Sequence, residues 1–254
     1  MLVVVIGCFV ISPVTKALLL LAITLAAVWE MCRAVSETGV KCAAAVLYAF
    51  TVAAACAIYL DADGILIEAL FFLAVFACLA AGVMCKDIRG KGAIGTLAVL
   101  VYPVVPMLII LGLAISDEWV PVFALGCISA WACDAFALFG GKLFGKNKLA
   151  PEVSPNKTIE GTLTGAAFSV IAGIILYFVL RKNYELSFVC CALTALISSS
   201  FGQIGDLAAS LIKRMSGLKD YSNLIPGHGG VMDRIDSLLF SVPTAYYCIL
   251  LFGS

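Results

Sequence analysis

An all-α, polytopic transmembrane bundle of eight or nine membrane segments is the fold class that this 254-residue sequence predicts. Three observations predict it. Apolar residues make up 63% of the chain and charged residues only 13%, against about 45–50% and about 25% in soluble domains. The apolar residues come in runs, and a run of about 20 spans the roughly 30 Å hydrocarbon core as a helix. Strand-like alternation is absent, and within lipid a helix satisfies its own backbone groups.

The elements follow in order. Residues 2–11 form a short apolar run that lacks the basic flank and small-residue cleavage site of a signal peptide. It counts as a short ninth segment, interrupted by Pro13, and its crossing is left open. Full spans are expected at 16–32, 41–60, 65–84, 94–114, 118–139, 161–180, 187–205 and 237–252. No internal repeat or low-complexity linker is present, so one membrane domain over 1–254 is expected.

Charge orders the loops. Arg33, Lys41, Lys86, Arg89, Lys91, Lys142, Lys146, Lys148, Lys157, Lys213, Arg214, Lys219 and Arg234 all fall on alternate connections, leaving only three of the sixteen Lys and Arg elsewhere. The intervening loops carry Asp61, Asp63, Asp117 and Glu118. The positive-inside rule assigns the basic loops to the cytoplasm, although Arg181 and Lys182 break the pattern. Two of these loops, 140–160 and 206–236, are expected to be long. A net charge of zero creates no field that recruits nucleic acid. Of eleven cysteines, Cys42, Cys56, Cys78, Cys127, Cys190, Cys191 and Cys248 lie inside apolar runs without C-x-x-C spacing. They read as small packing residues.

The chemistry-bearing residues collect on the basic side. If the helix of 187–205 continues past Asp206, then Asp206, Ser210, Lys213 and Arg214 fall at i, i+4, i+7 and i+8 on one face. A carboxylate, a hydroxyl and two cations there suit a divalent metal at one end and phosphates at the other. Gly227, Gly229 and Gly230 flank His228 in a loop that permits positive φ. Its successive N–H groups are candidates to cradle phosphate. Asp233 and Asp236 follow one turn apart around Arg234, and with Asp206 they make an oxygen donor set for Mg²⁺. A solvated loop with snorkelling cations is the plainer account, but it leaves carboxylates beside apolar runs unexplained. His228, the only histidine, reads equally as a base or as a hydrogen-bonded loop residue.

A second constellation lies upstream. Asp134 interrupts an apolar run, which marks either a functional carboxylate or one hydrogen-bonded to a neighbouring helix. Gly140, Gly141, Lys142, Gly145, Lys146 and Lys148 lead to Asn156, Lys157 and Thr158. Lysines among glycines suit a phosphate clamp or an anionic-lipid anchor, and no P-loop pattern is present. Ser198, Ser199, Ser200 and Gln203 either line a wet cavity or bond between helices.

These residues compose a known pattern. Ser210-x-x-Lys213-Arg214, Lys219-Asp220 and Pro226-x-His228-Gly229-Gly230-x-x-Asp233-Arg234-x-Asp236 resemble the signature of the phosphatidate cytidylyltransferase family. The stretch from Asp134 to Gly161 is similar to its second block, through Lys148-Leu149, Ser154-Pro155, Lys157-Thr158 and Glu160-Gly161. Departures fall at Leu138, Lys142, Asn147 and Ile159, where relatives commonly carry Tyr, Arg, His and Trp.

The resemblance implies a reaction in which phosphatidic acid attacks the α-phosphorus of CTP, giving CDP-diacylglycerol and pyrophosphate. It implies Mg²⁺ held by Asp206, Asp233 and Asp236, with Ser210 beside it. Lys213, Arg214 and Lys219 would contact phosphates, and Asp134 would place a second cation or a lysine. Lys142, Lys148, Lys157, Asp220, His228, Gly229, Gly230 and Arg234 complete the expected substrate contacts. The expected setting is an integral protein of the bilayer, the plasma membrane in a bacterium, with its site facing the cytoplasm and a homodimer left open. A CTP- or ATP-dependent lipid or isoprenoid kinase and a membrane transporter are the rival readings.

Overall fold

The structure, a computed structural model, describes residues 12–116, 119–225, 227 and 229–252. The short run 2–11, Pro226 and His228 lie outside the described residues. The helices are α1 (Pro13–Glu37), α2 (Ala44–Tyr59), α3 (Gly64–Met84), α4 (Arg89–Val99), α5 (Val105–Ala114), α6 (Trp119–Phe144), α7 (Ile159–Leu180), α8 (Phe188–Met215), α9 (Met232–Ile235) and α10 (Leu238–Phe252). Strands β1 (Lys148–Ala150) and β2 (Ser154–Thr158) form one small hairpin. Among the described residues seven spans are long and apolar enough to cross a membrane, and α2 is an eighth, shorter apolar helix. Each of the eight full spans expected from sequence is matched. This is an integral membrane protein.

The chain groups into two compact units. The first comprises Met1–Asp117 with Ile212–Arg234, the second Glu118–Leu211 with Ile235–Ser254. In the first unit α1, α2, α3 and α4 pack in succession, and α5 packs on both α1 and α2. Ala27, Val28, Met31, Leu47, Val99, Leu100, Val104 and Leu111 fill its core. The outward face of α3 carries Phe72, Phe76, Val83 and Met84, as a lipid-facing helix requires. Between α4 and α5 the helix widens into a π turn at Leu100–Val104, which contains Pro103. Proline has no N–H to donate, and a π turn absorbs such a break without ending the span.

The second unit is built on glycine contacts. A methyl built at Gly165 of α7 would lie 2.6 Å from the carbonyl oxygen of Cys133 on α6, and one at Gly161 2.6 Å from that of Ala137. One at Gly140 of α6 would lie 2.5 Å from Thr164 Oγ1. Small residues let membrane helices approach backbone to backbone. Phe136 and Phe168 stack at 3.9 Å across the same pair. Gly126 seats α10 on α6 at Val242, and Gly173 seats α8 on α7 at Ala195.

Three local expectations are corrected. Gly140 and Gly141 are helical rather than part of a loop, because the facing α7 needs their missing side chains more than the chain needs a turn. The loop expected at 206–236 is shortened, since α8 runs to Met215. It ends in a Schellman cap, with Gly217 at φ +66° and the Leu218 N–H donating to the Lys213 carbonyl at 2.9 Å. The basic loop between α6 and α7 contains the hairpin, in which Lys148 pairs with Thr158 and Ala150 with Ser154. The hairpin is too short to show alternation. Its base is tied by Glu160, which accepts from the Lys146 and Asn147 N–H groups and from Asn147 Nδ2 at 2.8 Å.

Gly165→Leu is expected to destabilise the protein by about 2–3 kcal/mol, the range of an overpacked core, measured as a lowered melting temperature in detergent. Gly112→Ala, whose new methyl would meet only Ile58 Cγ2 at 3.6 Å, is expected to leave it unchanged or higher.

Candidate active site

In the second unit, a cavity of about 190 Å³ is lined by Asp134, Leu138, Asn156, Lys157, Thr162, Gln203 and Asp206, among others. That is smaller than the roughly 300–1,000 Å³ of typical small-molecule pockets, and of a size for a phosphate group rather than a whole nucleotide. Asp134 comes from α6, Lys157 from β2, and Gln203 and Asp206 from α8. The hairpin thus delivers one lysine into a space walled by helices. Lys157 Nζ lies 2.6 Å from Asp206 Oδ2, as an ion pair without hydrogen-bond alignment. Asp134 is open to the cavity, and Ser237 Oγ is 3.5 Å from its Oδ2. Ser210 Oγ stands 3.5 Å from Asp206 Oδ1, one helical turn along, as the spacing predicts.

Asp236 reaches this neighbourhood through two glycines. A methyl at Gly205 would lie 2.5 Å from the Asp236 carbonyl oxygen, and one at Gly202 3.2 Å from that of Ser237. Residues 236–237 therefore rest on the backbone of α8 beside Asp206. Asp236 Oδ1 accepts from the Ser237 N–H at 2.8 Å. Gln203 Nε2 donates to Cys133 Sγ at 3.0 Å while lining the cavity. Ser199 bonds across helices to Ser169 at 2.8 Å. The polar run of α8 therefore does both things that the sequence allowed.

In the first unit the glycine loop is organised by carboxylates. Lys213 Nζ lies 2.6 Å from Asp233 Oδ1, and the two side chains are only 13% and 8% exposed. Asp233 Oδ2 accepts from the N–H groups of Tyr221 at 2.9 Å and Gly230 at 3.1 Å. The Lys213 ammonium also sits 5.4 Å from the ring centre of buried Tyr221. Gly227 and Gly229 take positive φ of 74° and 83°, the freedom expected of them. Of the expected phosphate cradle, the Gly230 N–H donates to Asp233, and the next two N–H groups, of Val231 and Met232, donate to Glu30.

Glu30 is the residue that sequence reasoning missed. It lies on α1, is fully buried, and takes hydrogen bonds from Ser222 Oγ, Val231 N at 2.8 Å and Met232 N at 2.7 Å. The signal was present, since it is the one acidic residue within the apolar run 16–32 and an intramembrane carboxylate marks function by default. Of the remaining expected contacts, Lys142, Lys148, Arg214, Lys219, Asp220 and Arg234 are exposed. His228 lies outside the described residues.

The carboxylates also bear on a metal. Hard oxygen donors suit Mg²⁺, which is commonly held by one or two carboxylates plus substrate phosphates. Asp206 supplies one, and Asp236 follows on the segment whose backbone carbonyl rests against Gly205. Asp233 uses both of its oxygens on Lys213 and two backbone amides. Among the described residues no three His, Cys, Asp or Glu side chains form a metal-holding group. The donor chemistry therefore fits a cation shared with a phosphate ligand, not one enclosed by protein alone.

Removing one partner of a buried ion pair strands the other. Asp233→Asn is expected to lower stability by about 3 kcal/mol, seen in thermal unfolding in detergent. Adding Lys213→Met to it is expected to recover part of that loss.

Comparison with known proteins bears on identity. Curated relatives include the phosphatidate cytidylyltransferase of Bacillus subtilis (strain 168), 42% identical over 127 residues, covering 50% of this chain and 46% of that protein. Those of Staphylococcus haemolyticus (44% over 113 residues; 44% and 43%) and Haemophilus influenzae (46% over 126 residues; 47% and 42%) are alike. The chain thus spans less than half the length of the curated relatives it matches. The cytidylyltransferase family matches far more of it, residues 1–252 and so both units. This chain belongs to the cytidylyltransferase family.

Proposed function

We propose that the protein transfers the cytidylyl group of CTP to phosphatidic acid, giving CDP-diacylglycerol and pyrophosphate at the cytoplasmic face of the membrane. The observation that carries this reading is the Asp134–Lys157–Asp206 cavity in a membrane-spanning unit of a cytidylyltransferase-family chain. The names of the relatives support the lipid substrate. Basic residues on alternate loops support the cytoplasmic side.

The chemistry follows from charge. An oxygen of the phosphatidate phosphate forms a bond to the α-phosphorus of CTP, the bond from that phosphorus to the α–β bridging oxygen breaks, and pyrophosphate leaves with the electron pair. The nucleophile is a phosphate monoester, already ionised near neutral pH, so no side chain has to remove a proton. Both reactants are anionic, and the protein's task is to offset their repulsion in a medium where charges interact strongly. Lys157 suits this role, because its ammonium can move from Asp206 to an incoming phosphate. That exchange leaves the Asp206 and Asp236 carboxylates as acceptors for a divalent cation. Such a cation, Mg²⁺ by its donors, supplies charge neutralisation of the leaving pyrophosphate. Asp134 keeps the lysine within the cavity, and the exposed Lys142, Lys148 and Lys219 draw anionic substrates to the surface.

Purified protein given α-³²P CTP, Mg²⁺ and phosphatidic acid is expected to place the label in the lipid fraction while pyrophosphate is released. A lipid kinase would leave the α label in a water-soluble nucleoside diphosphate, and that result rejects the reading. Lys157→Met and Asp206→Asn are each expected to lower turnover by about 10²–10³-fold, the scale of removing one preorganised charge-stabilising group, with the melting temperature little changed. Unaltered turnover in both would remove the cavity from the mechanism.

A further inference from the structure

The glycine loop leaves a question that the cavity does not answer: what holds its backbone in place. Three successive amides, Gly230, Val231 and Met232, point inward, and an inward-pointing N–H needs an acceptor. Gly230 is served by Asp233, three residues further along the chain. Val231 and Met232 are served by Glu30, which lies some two hundred positions earlier, near the C-terminal end of the hydrophobic stretch of α1. Both Glu30 oxygens accept, Oε1 from Ser222 Oγ and Val231 N, Oε2 from Met232 N. The fit leaves no spare room. A methyl at Gly230 would lie 2.7 Å from Glu30 Oε1 and 2.9 Å from Oε2, so the glycine is required there by the carboxylate.

Glu30 therefore holds, with its own carboxylate, the two amides that directly follow the glycine loop. Adjacent backbone N–H groups bind an anion whatever its source. The contacts also form a chain. Met232 immediately precedes Asp233, whose oxygens hold Lys213, Tyr221 and Gly230.

We propose that Glu30 is a positioning residue. By capturing the Ser222 hydroxyl and the Val231 and Met232 amides, it sets the 222–232 loop so that Asp233 meets Lys213 in one geometry. Its effect on turnover rests on the cytidylyl-transfer reading; its effect on the loop does not. A carboxylate is required because both oxygens must accept. Glutamine has the same shape but replaces one acceptor by an NH₂ group, which would face an N–H.

The test is hydrogen exchange on the full-length protein in detergent, read together with steady-state kinetics for Glu30→Gln, Gly230→Ala and Ser222→Ala. Glu30→Gln and Gly230→Ala are expected to raise exchange of the 219–233 segment by about tenfold or more, as a local opening does, with exchange of α3 and α6 unchanged. Any fall in turnover of Glu30→Gln is expected in kcat, with KM changed less than about threefold. Ser222→Ala keeps both amide contacts but removes one donor to Glu30 and the acceptor of the Leu224 N–H, so its rise in exchange is expected to be smaller than that of Glu30→Gln. Wild-type exchange in both Glu30→Gln and Gly230→Ala overturns the proposal. So does a rise spread evenly over all helices, which would make Glu30 a general support of the fold. If the parent protein shows no CTP-dependent turnover, the proposed reaction fails alone, and the exchange pattern still decides the role of Glu30.

Discussion

A carboxylate inside a bundle of apolar helices must be given donors or a counter-charge, because the surrounding lipid offers neither. That constraint organises both units of this protein. Glu30 takes a hydroxyl and two amides. Asp233 takes an ammonium and two amides, and Asp206 takes the ammonium of Lys157. Each partner comes from a different part of the chain, so satisfying the charge also fixes the loop or hairpin that brings the partner. The polar machinery is thereby ordered by the same low dielectric that makes it expensive to bury.

The two ion pairs have different characters. Lys213 and Asp233 are almost closed off, and both Asp233 oxygens already accept, Oδ1 from Lys213 and Oδ2 from two amides. Such a pair contributes order more than net stability. Lys157 and Asp206 are each about a quarter exposed and line an open cavity, so exchange of partners there asks for less. Leu138, one of the departures from the usual family pattern, stands in the wall of that cavity and makes it more apolar than a tyrosine would.

Glycine was the residue type hardest to read from sequence. Gly227 and Gly229 adopt positive φ, as a glycine-rich loop promises. Gly140, Gly161, Gly165, Gly202 and Gly205 sit in or beside regular helices, where what matters is the missing side chain and the neighbour that takes its place. Local sequence does not distinguish these uses, since the second depends on a facing element far along the chain. That is why 140–144 was expected as loop and is helical, and why the part played by Gly205 in seating the Asp236 backbone was not legible.

Sequence by itself determined that this is a helical membrane protein, where its apolar helices lie, and that its basic residues fall on alternate connections. Those conclusions need only hydropathy, span length and charge placement, which are properties of the chain read in order. The i, i+4 relation of Asp206 and Ser210 was legible for the same reason, because helix geometry is local. Tertiary structure alone decided who satisfies whom: that Lys157 faces Asp206, that Asp233 serves the loop, and that Glu30 takes the Val231 and Met232 amides just after it. A buried charge chooses its partner by distance in space, and no spacing along the chain encodes that distance.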